Sequence, residues 1–332
     1  MSIEHPYLLF LGDAADQLAA KTAQGIAHWR PEWCLGQLRL PGCNADLGLA
    51  DLSLEQAVEA GTRTLVIGVA NRGGVISEAW VAVLEQALRL GMDLAAGLHN
   101  RLADVPRLAA TAEQHRRRLF DVRHPTREFE LANGRKRAGK RLLTVGTDCS
   151  VGKMYASLAM EREMRAQGLN ADFRATGQTG ILIAGDGISV DAVVADFIAG
   201  SIEWLAPAND PDHWDVIEGQ GSLFHASFAG VSLGLMHGAQ ADALVLCHEP
   251  TRSHMRGLPD YALPGLKECL EVNLEAARLT NPAVAAVGVA VNTSQMAEGT
   301  AGGLLRQIED DLGLPASDPF KDGVAPIVAR LV

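Results

Sequence analysis

The chain has 332 residues, of which 48% are hydrophobic and 21% are charged, and its formal net charge at pH 7 is −11. This composition is typical of a globular protein with room for two domains, each with its own core. The acidic balance argues against sequence-independent binding to nucleic acid or to anionic membranes, and no apolar run is long enough to span a bilayer. The cysteines, five in number, lack the close spacing of a zinc site or a redox pair, so we expect a reducing cytoplasm.

Apolar runs alternate with segments of helical periodicity in the first third of the chain. The predicted order is strand, helix, strand, helix, strand, over Tyr7 to Leu11, Ala14 to Trp29, Thr64 to Val69, Ser77 to Leu90 and Asp93 to Gly97. Strands that alternate with helices of this length favour a parallel sheet covered by helices. We therefore predict a Rossmann-like parallel-sheet domain over residues 1–125.

The turn after the second of these strands is a candidate binding site. It contains Asn71, Arg72 and Gly73, at a strand end of the kind where ligands of parallel sheets bind. Arg72 could pair with a carboxylate in bidentate fashion while the neighbouring glycines expose N–H donors. A tight turn with a solvated arginine explains the same residues equally well.

A polar segment follows, and residues 126–140 are predicted to link two domains. Its end is rich in basic side chains, namely Arg135, Lys136, Arg137, Lys140 and Arg141. A basic run of this kind is most often a solvated face. Its position directly before the next motif leaves open that one of these charges meets a ligand phosphate.

A glycine-containing loop lies between an apolar run, Leu142 to Val145, and a segment of helical pattern. The loop is Gly146-Thr147-Asp148-Cys149-Ser150-Val151-Gly152-Lys153-Met154. Strand, loop and helix in this order are typical of a phosphate-binding loop, in which backbone N–H groups and a lysine surround an anion. Met154 stands where the standard motif has the hydroxyl residue that holds magnesium, and a thioether is a poor ligand for that cation. The loop therefore predicts phosphate binding without metal-assisted phosphoryl transfer.

The rest of the chain again alternates strands and helices. The predicted strands are 171–175, 214–217, 243–247 and 284–291, and the predicted helices are 190–205, 264–279 and 301–312. Every polar or glycine-rich cluster follows a strand, so these clusters are expected at one edge of one sheet. We predict a P-loop NTPase-like parallel-sheet domain over residues 141–332.

Three ionisable side chains at this edge are candidates for a catalytic base: Glu218, His225 and His248. Histidine is the commonest general base, and a carboxylate at a glycine-flanked strand end can also serve. Each has a structural alternative, since a carboxylate can bind backbone N–H groups and a lone histidine is often structural. Cys149 lies at a helix N-terminus, an environment that lowers a thiol pKa, but the favoured interpretation is a small residue required by the turn.

The loop GTDCSVGKM resembles the phosphate loop of dethiobiotin synthetases. Together with ATGQTGI, IEGQGSLFH and CHEPTR, it is more closely similar to a bacterial family long catalogued as a domain of unknown function. Some members of that family are D-glutamate N-acetyltransferases, which use acetyl-coenzyme A in D-amino-acid catabolism. The resemblance covers nearly the whole chain and implies an N-acetyltransferase for an acidic amino acid, with D-glutamate as the expected acceptor.

On this interpretation acetyl-CoA is the co-substrate, its phosphates bind the loop from Thr147 to Met154, and no metal is expected. An acidic acceptor needs cationic anchors, so the turn at Arg72 is joined as a substrate-binding candidate by Arg174, Gln178 and Arg252. We expect a homodimer, with no nucleic-acid or membrane partner. The alternative is an ATP-dependent P-loop ligase or kinase of the dethiobiotin-synthetase type, and Met154 is the residue against it.

Overall fold

The computed structural model describes residues 2–69 and 76–331. The predicted binding turn at Asn71, Arg72 and Gly73 lies outside the described residues, so its role stays a prediction. Among the residues described, no helix is both long and apolar enough to cross a membrane.

The chain divides into two compact units. The first contains the described residues up to Thr126 together with Gly177–Ala192, and the second contains Arg127–Thr176 and the chain from Val193 onward. The sequence-based division had placed residues 177–192 in the P-loop domain, whereas the structure groups them with the N-terminal unit.

Short strands and helices alternate along both units. The described strands, in chain order, are β1 (Tyr7–Gly12), β2 (Cys34–Arg39), β3 (Thr64–Ile67), β4 (Asp93–Ala96), β5 (Leu119–Asp121), β6 (Lys140–Gly146), β7 (Ala171–Arg174), β8 (Trp214–Ile217), β9 (Ala243–His248), β10 (His254–Met255), β11 (Leu258–Ala262), β12 (Ala285–Val291) and β13 (Ala316–Ser317). The described α-helices are α1 (Lys21–Trp29), α2 (Leu54–Glu59), α3 (Glu78–Arg89), α4 (Pro106–His115), α5 (Lys153–Ala166), α6 (Gln178–Ala184), α7 (Ile198–Leu205), α8 (Ala229–Ala239), α9 (Leu266–Arg278), α10 (Ala301–Leu312) and α11 (Ala325–Val328).

The first unit is built on a five-stranded sheet in the order β2-β1-β3-β4-β5, and every pair in it is parallel. Strand β1, which lies between β2 and β3, is buried along its whole length, because helices cover a parallel sheet on both faces. Helix α6, from the segment 177–192, packs on α1. The predicted Rossmann-like fold is confirmed.

The second unit is built on a six-stranded parallel sheet in the order β13-β12-β9-β6-β8-β7. Strand β6 lies between β9 and β8, so the phosphate loop after it sits at the centre of the carboxyl edge. The same edge receives Glu218 after β8 and His248 at the end of β9. The predicted P-loop fold is therefore confirmed, and its topology gathers the candidate residues at the expected edge.

The predicted helix over residues 190–205 is wrong in its first half. Two 3-10 turns, Val190–Ala192 and Ala195–Phe197, precede α7. The Asp191 carboxylate accepts a hydrogen bond from the Ser189 hydroxyl at 2.7 Å, and such local side-chain bonds compete with helix formation. Val194 then adopts an extended conformation, with φ −57° and ψ 137°, which delays the helix to Ile198.

The basic segment before β6 is bound to its own unit. Lys136 pairs with Asp242 at 2.7 Å, Arg137 donates to the Ala206 carbonyl at 2.8 Å, and the fully buried Arg141 is surrounded by backbone carbonyls. These residues lie at the amino edge of the sheet, whereas the phosphate loop follows the carboxyl end of β6. Lys136, Arg137 and Arg141 therefore do not meet a phosphate bound in this loop.

Candidate active site

The loop between β6 and α5 presents a row of backbone donors. Ser150 has φ +53° and Gly152 has φ +104°, and these left-handed conformations turn successive N–H groups toward one side. Within the described part of the chain, no acceptor is bound to the N–H groups of residues 150–154. With the N-terminus of α5 behind them, these groups form an anion-binding nest.

Lys153 supplies the charge of this nest. Its side chain is buried, and the ammonium Nζ donates to the Asp148 carbonyl at 2.8 Å. Burial lowers the pKa of Lys153, although nearby acidic groups oppose the shift. A phosphate bound to the loop would compensate this ammonium better than a neutral carbonyl does.

Asp148 connects the loop to the segment between β9 and β11. Its carboxylate is fully buried and accepts hydrogen bonds from the Cys149 N–H at 2.6 Å, the Arg252 Nη1 at 2.8 Å and the Arg256 N–H at 2.8 Å. Arg252 also donates to the carbonyls of Cys149 at 2.6 Å and Ser150 at 2.7 Å. The outer side of the loop is therefore held by a guanidinium, with the inner N–H groups left for a ligand.

Arg252 was a sequence candidate for binding the substrate carboxylate. Its Nε donates to Glu249 at 3.0 Å, and its other nitrogens are bound to the loop, so the structure gives it few donors for a second anion. Arg174 is similarly engaged, since its Nε donates to Asp215 at 2.7 Å. Gln178 lies in the first unit, where its side chain packs beside Gly97.

The three candidate bases differ in what their side chains already bind. His225 is buried, its Nε2–H donates to the Arg256 carbonyl at 3.1 Å, and its Nδ1 accepts from the Ser227 N–H at 3.1 Å. Both ring nitrogens of His225 therefore already have hydrogen-bond partners. Glu218 accepts hydrogen bonds from the Thr176 N–H at 2.9 Å and from Gln220 Nε2 at 3.1 Å.

His248 keeps one nitrogen available. Its Nδ1 lies 3.0 Å from the Thr147 hydroxyl, and Nε2 has no hydrogen-bond partner among the described residues. Burial lowers the pKa of His248 below its ordinary value, which is about 6.5, so the ring is neutral at pH 7. If Nδ1–H donates to Thr147, Nε2 carries the free lone pair that a general base needs.

The thiol of Cys149 is not activated. Burial raises its pKa, and this exceeds the lowering effect of Lys153, Arg252 and Arg256. The less favoured interpretation of Cys149, a lowered thiol pKa, is therefore wrong. The hydrogen bonds of Cys149 described above use its backbone, which agrees with a small residue in a turn.

We accordingly expect Cys149→Ala to keep most of the wild-type activity, because alanine preserves the backbone contacts and adds no volume. Iodoacetamide should modify the wild-type thiol slowly at pH 7, since the thiolate is the reactive form. Steady-state rates of the variant, with mass spectrometry of the alkylated wild type, check both points. A large loss of kcat in Cys149→Ala would show that the thiol takes part in the reaction.

Neither possible metal position has suitable ligands. Magnesium in a phosphate loop requires a hydroxyl where this chain has Met154, and a thioether does not replace it. Side-chain atoms of Asp148, Cys149 and His225 lie within 4.8 Å of one another, but the Asp148 carboxylate and both His225 nitrogens are already hydrogen-bonded. The residues present therefore do not fit a metal ion at either place.

Gly219 is required by close packing beside the loop. A Cβ atom at this position would lie 1.7 Å from the Thr144 carbonyl oxygen and 3.1 Å from Lys153 Cδ. The Gly219 N–H also donates to the Thr144 hydroxyl at 2.9 Å. The backbone after β8 thus passes directly against β6 and leaves no room for a side chain.

Gly219→Ala is expected to lower the free energy of unfolding by about 1–3 kcal/mol, the usual cost of forcing extra volume into packed structure. The control is Gly230→Ala on α8, where an added Cβ meets nothing within 4 Å and alanine favours the helix. Urea unfolding of both variants measures the difference. Equal stability of the two would contradict the close approach of β8 and β6.

Known proteins are similar to this chain over its full length. The family model of a Rossmann-like domain of unknown function, DUF1611_N, matches residues 39–125, and that of a P-loop domain of unknown function, DUF1611_C, matches residues 130–328. The chain belongs to the DUF1611 family. A crystal structure of a DUF1611 family protein from Anabaena variabilis is 30% identical, covers 99% of both chains and has a TM-score of 0.83.

Two relatives of this DUF1611 chain carry a functional name. A protein of Tritonibacter scottomollicae named D-glutamate N-acetyltransferase is 60% identical, over 99% of each chain. A Pseudoalteromonas protein of the same name is 49% identical, over 100% of each chain. The predicted family, which contains D-glutamate N-acetyltransferases, is confirmed.

Proposed function

We propose that this protein is an N-acetyltransferase that moves the acetyl group of acetyl-CoA to the amine of D-glutamate, in the catabolism of D-amino acids. The observation that carries the proposal is the 60% identity, over 99% of each chain, with a protein named D-glutamate N-acetyltransferase. The phosphate loop supports it, because coenzyme A carries a diphosphate and acetyl transfer needs no metal. Met154 disfavours the alternative of an ATP-dependent ligase or kinase.

The loop offers the diphosphate two kinds of contact. The N–H groups of residues 150–154 can each donate to a phosphate oxygen, and the Lys153 ammonium lies among them with a neutral carbonyl as its hydrogen-bond partner. Binding an anion there replaces this contact by a charge-assisted hydrogen bond. The loop is thus suited to hold the diphosphate of the cofactor.

The reaction joins the substrate nitrogen to the acetyl carbon. The neutral amine attacks the thioester carbonyl, a C–N bond forms, the C–S bond breaks, and coenzyme A leaves as its thiol. Because an amino acid carries an ammonium at pH 7, one proton must be removed before or during attack. The two carboxylates of D-glutamate need cationic anchors, and Arg72, which lies outside the described residues, stays the sequence candidate for one of them.

The length of coenzyme A limits which residue can be the base. Its pantetheine arm has about thirteen bonds between the nearer phosphorus and the thioester sulfur, which is about 15 Å when extended. Glu218, His225 and His248 all lie beside the loop, so one of them can act only if the arm bends back over it. Of these three, we propose His248, because its Nε2 is available and its ring is neutral at pH 7.

The test is thiol release from acetyl-CoA in the presence of D-glutamate, L-glutamate, D-aspartate or no amine. The proposal expects release that depends on D-glutamate and a product heavier by one acetyl group. A parallel reaction with ATP, magnesium and D-glutamate tests for ADP. Formation of ADP without acetylation would favour the ligase or kinase.

A further inference from the structure

In the standard motif, magnesium balances part of the negative charge of the phosphates that the loop binds. In this loop another positive group must do so. A diphosphate brings negative charge into a site where Met154 cannot hold a metal ion. Lys153 alone is one cation, and the buried Asp148 carboxylate lies on the same loop. A further positive group is therefore needed close to the bound phosphates.

Arg256 is a cation of this kind, and it was not among the sequence candidates. Its guanidinium Nη1 donates to the hydroxyl of Ser150, a residue of the nest. Among the described residues no carboxylate lies within ion-pair distance of it, whereas Arg252 pairs with both Asp148 and Glu249. Arg256 thus combines an exposed, uncompensated charge with a position on the loop.

The backbone of Arg256 is fixed from two sides by buried groups. Its N–H donates to Asp148 Oδ2 at 2.8 Å, and its carbonyl accepts from His225 Nε2 at 3.1 Å. Asp148 is 0% exposed and His225 is 2% exposed, so both partners are held rigidly. The hydrogen bonds from these two buried side chains therefore fix the position of the Arg256 backbone beside the loop.

We infer that Arg256, positioned by Asp148 and His225, takes the role of the missing metal ion and binds the diphosphate of the nucleotide cofactor together with Lys153. Arginine suits this role because its planar fork can contact two phosphate oxygens at once. His225 is then a positioning residue rather than the general base. The identity of the ligand as coenzyme A rests on the proposed function, but the inference itself concerns any nucleotide diphosphate.

Calorimetric titration with coenzyme A and with ADP, each in EDTA, tests the inference. Wild-type protein should bind with an affinity that magnesium does not improve. Arg256→Gln should weaken binding about tenfold or more, the usual cost of one charge-assisted contact, and Arg256→Lys should retain part of the affinity. The matched control is Arg278→Gln, an exposed arginine in the last turn of α9 at the amino edge of the sheet, which should bind like wild type.

The role of His225 is tested by a double-mutant cycle with His225→Phe. If His225 acts through Arg256, the two losses of affinity are not additive, since the second substitution removes an interaction already lost. Additive losses would overturn the positioning role. Unchanged affinity of Arg256→Gln, or wild-type binding that requires magnesium, would overturn the inference as a whole. A protein that binds coenzyme A through Arg256 but transfers no acetyl group would retain this site and contradict only the proposed function.

Discussion

Lys153→Met is expected to weaken coenzyme A binding about ten- to a hundredfold, because a charge-assisted hydrogen bond in a buried site is worth roughly 1.5–3 kcal/mol. The ligand-free variant should be at least as stable as wild type. The reason is that burial lowers the pKa of the Lys153 ammonium, so folding the charged group costs free energy that methionine does not. Calorimetry and thermal unfolding measure the two effects.

The matched control is Lys140→Met at the opposite end of β6, where the side chain is exposed and binding should not change.

The pH dependence of wild-type binding gives a second check. Bound phosphate raises the pKa of Lys153, so binding takes up a proton once the pH exceeds the pKa of the free protein. As the pH is raised, the affinity should therefore start to decrease before the pH reaches about 10.4, the ordinary pKa of lysine. Equal loss of binding in the Lys153→Met and Lys140→Met variants would contradict the assignment of Lys153.

His248→Gln is expected to lower kcat at least about a hundredfold, the lower range for loss of a general base. In the wild type, only the neutral ring can accept a proton. Because burial lowers the pKa of His248, the rate should be constant near neutral pH and decline only below about pH 6.5. This acidic limb should be absent from the residual activity of the variant.

The control for His248→Gln is His115→Gln, which removes a histidine from the last turn of α4 in the first unit and should leave both kcat and the pH profile unchanged. Thr147→Val should shift the balance of tautomers at His248 and lower kcat more than it raises KM. A His248→Gln variant with wild-type kcat and an intact acidic limb would place the base away from the loop.

The elements with strong local patterns were predictable from the sequence. Trp214–Ile217 and Ala301–Leu312 have the predicted bounds, since three of the four residues of the first are apolar and the second is strongly periodic. Strand β2 escaped prediction because it is exposed at one end and contains Gly36 and Gln37. Helix α8 was missed because it contains three glycines, which have low helix propensity.

The phosphate loop could be predicted because its residues are consecutive, and the groups around it could not. Arg256 reaches Asp148 across 108 positions of sequence, and no local pattern indicates that contact. Arg174, in contrast, was a candidate from the sequence, and the structure gives its side chain another partner. It ends a strand as predicted, but its side chain points to Asp215 on β8, because successive side chains along a strand point to opposite faces of the sheet. Burial around Cys149 also cannot be seen in the sequence, and it raises the thiol pKa where a helix N-terminus alone would lower it.

Transfer of labelled acetyl from carbon-13 acetyl-CoA to D-glutamate, followed by mass spectrometry in the presence of EDTA, tests the central claim most directly. The account predicts N-acetyl-D-glutamate that carries the carbon-13 label in its acetyl group, one free coenzyme A for each product molecule, and no requirement for magnesium or ATP. Release of coenzyme A without a labelled amide, or turnover of D-glutamate that occurs only with ATP and magnesium, would contradict it.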